Sequence, residues 1–281
     1  MIAHAMTMPS RRVLPGFGLS IGVTLLYLGL IVLLPLATLA FKAHETGLER
    51  FLAIVTSERS LASFRVTLCS AFVATVFNAV YGLLMAWVLV RYEFPGRKLL
   101  DAIVDLPFAL PTAVAGLALT ALFARNGWLG QWLEPNGWKV TYTPIGIAIA
   151  MAFTSAPFVI RTVQPVLEDL DRELEEVAES LGASAWHRFS RVVLPAILPA
   201  FIAGCSLAFA RSLGEFGAVI FIAGNMPLKT EVAALLIFIR LEEFDYPAAA
   251  SIASVLLVTA FFLLLFTNIV QARQLRYADR G

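Results

Sequence analysis

The stretch VTLCSAFVATVFNAVYGLLMAWVLV, from Val66 to Val90, contains no charged side chain and is closed at either end by an arginine, Arg65 and Arg91. A bilayer core of about 30 Å is crossed by roughly 20 apolar residues in helix. Backbone polar groups find no water in hydrocarbon, so a run of this kind must pair them internally as a helix. The segment therefore predicts a membrane span, and the rest of the chain reads the same way. Similar runs occupy approximately 17–41, 102–124, 144–160, 196–222 and 248–270. The run at 102–124 contains Pro107 and Pro111, which remove backbone donors and predict a kinked or broken helix. The run at 144–160 is short and contains Pro157, and the run at 196–222 carries Arg211 and Glu215, which leaves its far boundary open. Composition agrees: 59% of residues are hydrophobic, 15% are charged and the mean hydropathy is +0.80. A soluble domain carries about 25% charge. The expected fold class is an all-α membrane protein with six transmembrane helices in a single domain over residues 1–281, without internal repeats or low-complexity linkers.

Lysines and arginines sort the loops, because they concentrate in short cytoplasmic segments near the membrane. One set holds Arg11, Arg12, Arg91, Arg97, Lys98, Arg161, Arg172, Arg188, Arg191, Arg273, Arg276 and Arg280. The opposite set holds Lys42, Arg50, Arg59, Arg65, Arg125, Lys139, Lys229 and Arg240. The richer first set is assigned to the cytoplasm, which puts both termini inside. Arg11 and Arg12 ahead of an apolar run resemble a secretory signal, but the run is much longer than the roughly 7–15 residues of a signal core. An uncleaved first span is expected. On the outer side, Leu48, Phe51, Leu52 and Val55 fall at helical spacing, and Trp128, Trp132 and Trp138 form a cluster suited to the membrane interface.

The remaining chemistry-bearing residues exclude more than they propose. A formal net charge of +1 gives no electrostatic basis for nucleic-acid binding. Cys69 and Cys205 lie in apolar runs and read as small hydrophobes packed between helices. His4, His44 and His187 show no metal-ligand spacing. The chain has no G-x-x-x-x-G-K-[ST] loop, no G-x-S-x-G elbow and no H-E-x-x-H pair. It is expected to be no enzyme and to bind no metal or cofactor itself.

The longest inner loop, about 161–193, is acidic in its first half and has apolar residues at Leu167, Leu170, Leu174, Val177/Ala178 and Leu181. That spacing predicts one amphipathic helix. Gly182 stands where a helix C-terminal glycine belongs. Ser184 can cap a second short helix bearing Trp186, Phe189 and Val192/Val193, which is expected to end at Leu194-Pro195.

Glu176-Val177-Ala178, Gly182 and then Val192-x-Leu194-Pro195 resemble the EAA loop of ABC importer permeases, where Glu-Ala-Ala is followed by three residues, Gly, nine residues and Ile-x-Leu-Pro. Val177 and Val192 are conservative departures. The resemblance implies a type I ABC importer permease fold in the bacterial inner membrane. It also implies that residues 165–195 form a coupling segment inserted into a cytoplasmic ATPase, which would bind ATP and magnesium. Further stretches extend the resemblance to the sulfate/thiosulfate subgroup: Asp105 to Thr112, Phe158 to Pro165 and Ser212 to Gly217. The first and third are shared with molybdate permeases. The segment with Gly224-Asn225-Met226-Pro227, Lys229-Thr230-Glu231-Val232 and Phe244-Asp245-Tyr246-Pro247 is similar to the T-type permease of that subgroup. The implied partners are a second, different permease subunit, two ATPase subunits, a periplasmic sulfate-binding protein and membrane lipid. A molybdate or tungstate permease is the alternative within the family.

A divalent oxyanion crossing hydrocarbon needs water, backbone N–H groups or cations along its route. Arg211 and Glu215, four apart within an apolar run, are the expected pathway residues, or else a buried pair that fixes helix packing. Pro107 and Pro111 are candidates because broken helices at membrane depth line cavities in transporters.

Overall fold

The computed structural model describes residues 17–278, with side chains described as far as Ile269. Arg11, Arg12, His4 and Arg280 of the sequence argument lie outside the described residues. Among the described residues the regular elements are all helical. In chain order they are α1 (Phe17–Glu45), α2 (Leu48–Val55), α3 (Glu58–Arg91), α4 (Arg97–Val104), α5 (Leu106–Ala109), α6 (Thr112–Phe123) and α7 (Gly130–Leu133). After a short 3-10 turn come α8 (Pro144–Asp169), α9 (Arg172–Ser180), α10 (Ala185–Leu213), α11 (Gly217–Ile222), α12 (Ala233–Glu242) and α13 (Tyr246–Ala278). Among the described residues five helices, α1, α3, α8, α10 and α13, are long and apolar enough to cross a membrane.

The sixth expected span, 102–124, is not one helix but the succession α4, α5 and α6. Pro107 sits in the first turn of α5, where a missing N–H breaks no helical bond. Leu110 and Pro111 are extended, with ψ of 133° and 129°, and α6 starts after them. The prolines therefore divide the segment as expected.

Two other expectations need correction. The run 196–222 is not continuous: α10 ends at Leu213, and α11 begins only at Gly217. The break has a local part, the Glu215 carboxylate accepting the Ala218 N–H at 2.9 Å, and a tertiary part, the close packing of α11 on α6. A side chain bonded to nearby backbone competes with helix continuation. Leu194-Pro195, in turn, does not end a helix. The chain is helical from Ala185 to Leu213, passing through a π-turn at Phe189–Val193 in which the Leu194 N–H bonds to the Phe189 carbonyl. That wider turn precedes the position where the Pro195 ring would otherwise strain a regular helix.

α8 is the central post, packed against both α3 and α10. Its buried positions Ile147, Met151, Ser155, Val159, Val163 and Leu167 recur every four residues along one face. The facing side of α3 is built from small residues, Ala71, Ala74, Asn78, Gly82 and Ala86. A Cβ on Gly82 would stand 2.7 Å from Val159 Cβ, and one on Gly204 of α10 would stand 2.9 Å from Val159 Cα. Val159 is thus held between two glycines, and small residues let three helix backbones approach closely, as membrane packing requires. Cys205 is half-buried, as expected for a packed thiol, whereas Cys69 is exposed on α3; both are free. Trp128, Trp132 and Trp138 are all exposed, around α7.

Candidate functional site

Two regions collect the residues singled out by the sequence. The first is the helical hairpin between α8 and the body of α10. The expected single helix over Leu167–Leu181 is in fact two elements, because α8 runs on to Asp169 and Leu170 is extended with ψ 117°. Asp171 then caps α9, its carboxylate accepting the Glu173 N–H at 2.9 Å. The split separates the apolar stripe. Leu167 is fully buried against α3, while Leu174, Val177 and Leu181 are exposed at 53%, 57% and 82%. Glu176 is exposed beside them and Ala178 is half-buried.

Gly182 closes α9. Its φ is +85°, the left-handed region, its N–H bonds to the Glu179 carbonyl at 2.9 Å, and the Ala183 N–H reaches the Ala178 carbonyl at 3.0 Å. This pair of bonds is a Schellman cap, which glycine adopts without a Cβ penalty. Ser184 caps the next helix, accepting the His187 N–H at 3.4 Å. An Arg188–Glu179 ion pair joins the two arms of the hairpin. Leu194 is half-buried and Pro195 exposed within α10, just past its π-turn.

The hairpin is fastened to the end of α3. Arg91 and Glu175 form an ion pair at 2.6 Å, with side chains only 10% and 20% exposed. Arg172 Nη2 donates to the Val90 carbonyl at 3.3 Å. Trp87 meets Phe189 edge-on at 5.7 Å between ring centroids, and the Arg91 guanidinium lies 5.8 Å from the Trp87 ring centroid.

The second region is where two helix breaks meet. The break at Leu110–Pro111 precedes α6 and the break at Gly214–Phe216 precedes α11, and α6 and α11 pack on one another. The approach is close: a Cβ on Gly217 would stand 2.1 Å from Thr112 Oγ1, and one on Gly116 would stand 2.4 Å from the Ala218 carbonyl oxygen. Arg211, in the last turn of α10, reaches across its break to Glu215 at 2.7 Å. Glu215 is 1% exposed, whereas the Arg211 side chain is 33% exposed. The carboxylate is therefore an internal pin holding Arg211 on one side and the first turn of α11 on the other, and the guanidinium is the member of the pair with open surface. Pro111 belongs to this junction. Pro107 does not, since it lines a separate apolar cavity of about 510 Å³ with Phe77, Tyr81, Leu100 and Phe153.

Several polar contacts that order this region were not singled out by the sequence reading. Asn78 on α3 donates to the Ala152 carbonyl at 3.0 Å and to Ser155 Oγ at 2.8 Å on α8. Ser212, next to Arg211, donates to the same Ser155 hydroxyl at 3.1 Å. Arg161, about two turns before the end of α8, bonds Asp105 at 2.7 Å and Asp101 at 2.6 Å, gripping the α4–α5 junction. At the opposite end of the bundle Arg59 makes a two-pronged pair with buried Glu231, at 2.6 and 2.8 Å, and Thr67 accepts the Ala233 N–H at 2.8 Å. The helical spacing of Ser60, Ser63, Thr67 and Ser70 on one face of α3 was the available signal for a buried polar seam. Among the described residues, no cluster of His, Cys, Asp and Glu could hold a metal ion.

Comparison with known proteins places this architecture. Residues 78–276 match the family model described as "Binding-protein-dependent transport system inner membrane component". The chain is 60% identical over 264 residues to the sulfate transport system permease protein CysT of Escherichia coli, covering 94% of this chain and 95% of that protein. It is 47% identical to the protein of the same name from Synechocystis, over 92% of this chain and 90% of the relative. In fold it resembles a chain of a bacterial ABC transporter involved in the import of the acidic polysaccharide alginate, with a TM-score of 0.75, 19% identity and coverage of 92% and 96%. It also resembles a chain of the inward-facing MetNI methionine ABC transporter, with a TM-score of 0.59, 16% identity and coverage of 76% and 95%. On both sequence and fold, the chain belongs to the family of binding-protein-dependent transport system inner membrane components, within its sulfate permease branch.

Proposed function

We propose that this chain is a membrane-spanning subunit of an ATP-driven importer that carries sulfate and thiosulfate across the bacterial inner membrane, with both termini in the cytoplasm. The observation that carries this reading is the 60% identity to a sulfate permease over 94% of the chain. Its complex contains a second, different permease subunit, two ATPase subunits that bind ATP and magnesium, and a periplasmic sulfate-binding protein.

Within that assembly the α9–α10 hairpin is the docking element for the ATPase. Leu174, Val177 and Leu181 offer an apolar face with no partner of its own among the described residues, and Glu176 borders it. The Gly182 cap and the Arg91–Glu175 pair make the hairpin a short stiff body, which can pass on a displacement that a loose loop would absorb. Substrate passes the junction of the two helix breaks. The one-third-exposed Arg211 supplies positive charge there, and α6 begins at that junction with its first N–H groups unpaired within the helix. Glu215 holds Arg211 in place rather than facing the anion.

Labelled sulfate uptake in cells lacking this permease, with and without the gene restored and the partner subunits present, tests the reading. Restored uptake that thiosulfate competes away and molybdate does not is the expected result. Restored molybdate uptake without sulfate uptake would move the chain to the molybdate branch. For the hairpin, Glu176→Lys is expected to reduce both ATPase co-purification and uptake while membrane insertion persists.

A further inference from the structure

We propose that α3 is the rod through which movement of the hairpin reaches Arg211, and that Arg91 is the positioning residue that clamps the hairpin to it. The inference rests on the docking role proposed for the hairpin.

Three helices connect the hairpin to the bundle, and they differ in stiffness. α8 joins it through the extended residue Leu170, with Pro165 just before in the last turns of the helix. α10 joins it through the π-turn at Phe189–Val193 followed directly by Leu194-Pro195. π-turns and prolines are where helices bend. Both covalent connections therefore carry a break in regular α-helix within a turn or two of the hairpin. α3 carries none: it is a single α-helix from Glu58 to Arg91 without an internal proline.

Although α3 is not the hairpin's neighbour in sequence, its end is tied to the hairpin at three points. The 2.6 Å Arg91–Glu175 pair fixes α9 with both side chains largely buried. The Arg172 bond to the Val90 carbonyl secures the start of α9. The Trp87–Phe189 edge contact fixes the π-turn itself, and Trp186 lies 5.9 Å from Phe189 on the hairpin side. Further along α3, Asn78 bonds Ser155, and Ser155 is bonded by Ser212, the neighbour of Arg211. Between the two ends Gly82 is pressed against Val159, so α3 cannot slide along α8 without opening a packed contact. Contiguous packed elements of this kind carry coupling between distant sites when they move as a unit.

The test uses the complete transporter, both permeases with ATPase and binding protein, reconstituted in liposomes, and reads sulfate uptake and ATP hydrolysis in the same preparation. Arg91→Glu and Glu175→Arg are expected to leave the ATPase bound and hydrolysing but to lower sulfate carried per ATP by roughly tenfold each, with the exchanged double variant regaining most of it. A rigidity or folding role alone would lower expression and hydrolysis together and leave the ratio unmoved. Unchanged uptake per ATP in Arg91→Glu overturns the proposal. A measurement that needs neither variant is the distance between spin labels at Ser180 and Glu93, with both native cysteines replaced by serine. It is expected to change by no more than about 2 Å between nucleotide-free and ATP-bound states, and a change as large as one helical turn, about 5 Å, overturns the proposal. The two readings fail separately. An inert Glu176→Lys sinks the docking role of the hairpin, whereas a Glu176→Lys that loses the ATPase beside an inert Arg91→Glu sinks only the α3 linkage.

Discussion

Replacing Arg211 by alanine separates the two roles that sequence allows it, provided the buried carboxylate is dealt with at the same time. Glu215 is 1% exposed and has two partners, Arg211 at 2.7 Å and the Ala218 N–H at 2.9 Å. Arg211→Ala leaves a buried negative charge on one backbone donor. Removing one member of a buried pair costs about 3–5 kcal/mol, and the lower end applies because Arg211 itself is one-third exposed and solvent-screened. For a chain of this size a loss of about 3 kcal/mol lowers the unfolding midpoint by roughly 6–12 °C. The double variant Arg211→Ala, Glu215→Gln removes the uncompensated charge and keeps an oxygen for the Ala218 N–H, so its loss falls to about 1 kcal/mol. The assay is thermal unfolding of the purified complex alongside labelled sulfate uptake. If Arg211 meets the anion, the double variant regains stability but not uptake. Recovery of both would reduce the pair to a packing device, and an unchanged midpoint in Arg211→Ala alone would refute the reasoning about the buried carboxylate.

Other expected outcomes follow from particular contacts. Gly82→Leu forces side-chain atoms into Val159 and should destabilise the complex by about 1–3 kcal/mol, whereas Gly29→Leu, with no neighbour within 4 Å, should leave its unfolding midpoint unchanged. At Gly182 a Cβ meets open space, so Gly182→Ala is limited by its +85° φ to a cost of about 1–2 kcal/mol. Faster hydrogen exchange at the Gly182 and Ala183 amides is the measure of it, and Gly182→Asn should be milder. Thr67→Val removes the acceptor of the buried Ala233 N–H and should cost about 1–3 kcal/mol, seen as a lower midpoint with the assembly intact.

Local rules set the features legible in the chain alone. The charge-free run from Val66 to Val90 dictates a helix because lipid offers no other partner for its backbone. Gly182 marks a helix end because the required left-handed conformation is glycine's, and Ser184 caps because its hydroxyl reaches the next turn's N–H. Pro107 and Pro111 divide the third apolar run because neither can donate from its nitrogen. The motif around Glu176 and Leu194-Pro195 led to the family. The rest was settled by how the helices pack, since most of the remaining features bring together groups distant in the chain. The π-turn takes the chain helically past Pro195, where local rules stopped it, and its ring Phe189 packs on Trp87 of another helix. The break after Leu213 follows from Glu215 capping α11, whose packing against α6 requires Gly116 and Gly217 to meet Ala218 and Thr112. The pairs Arg91–Glu175, Arg59–Glu231 and Arg161–Asp105 join charges that no local rule pairs. Hydrophobic period fixes which residues enter the bilayer, but the partner of a buried charge is chosen by how the helices cross.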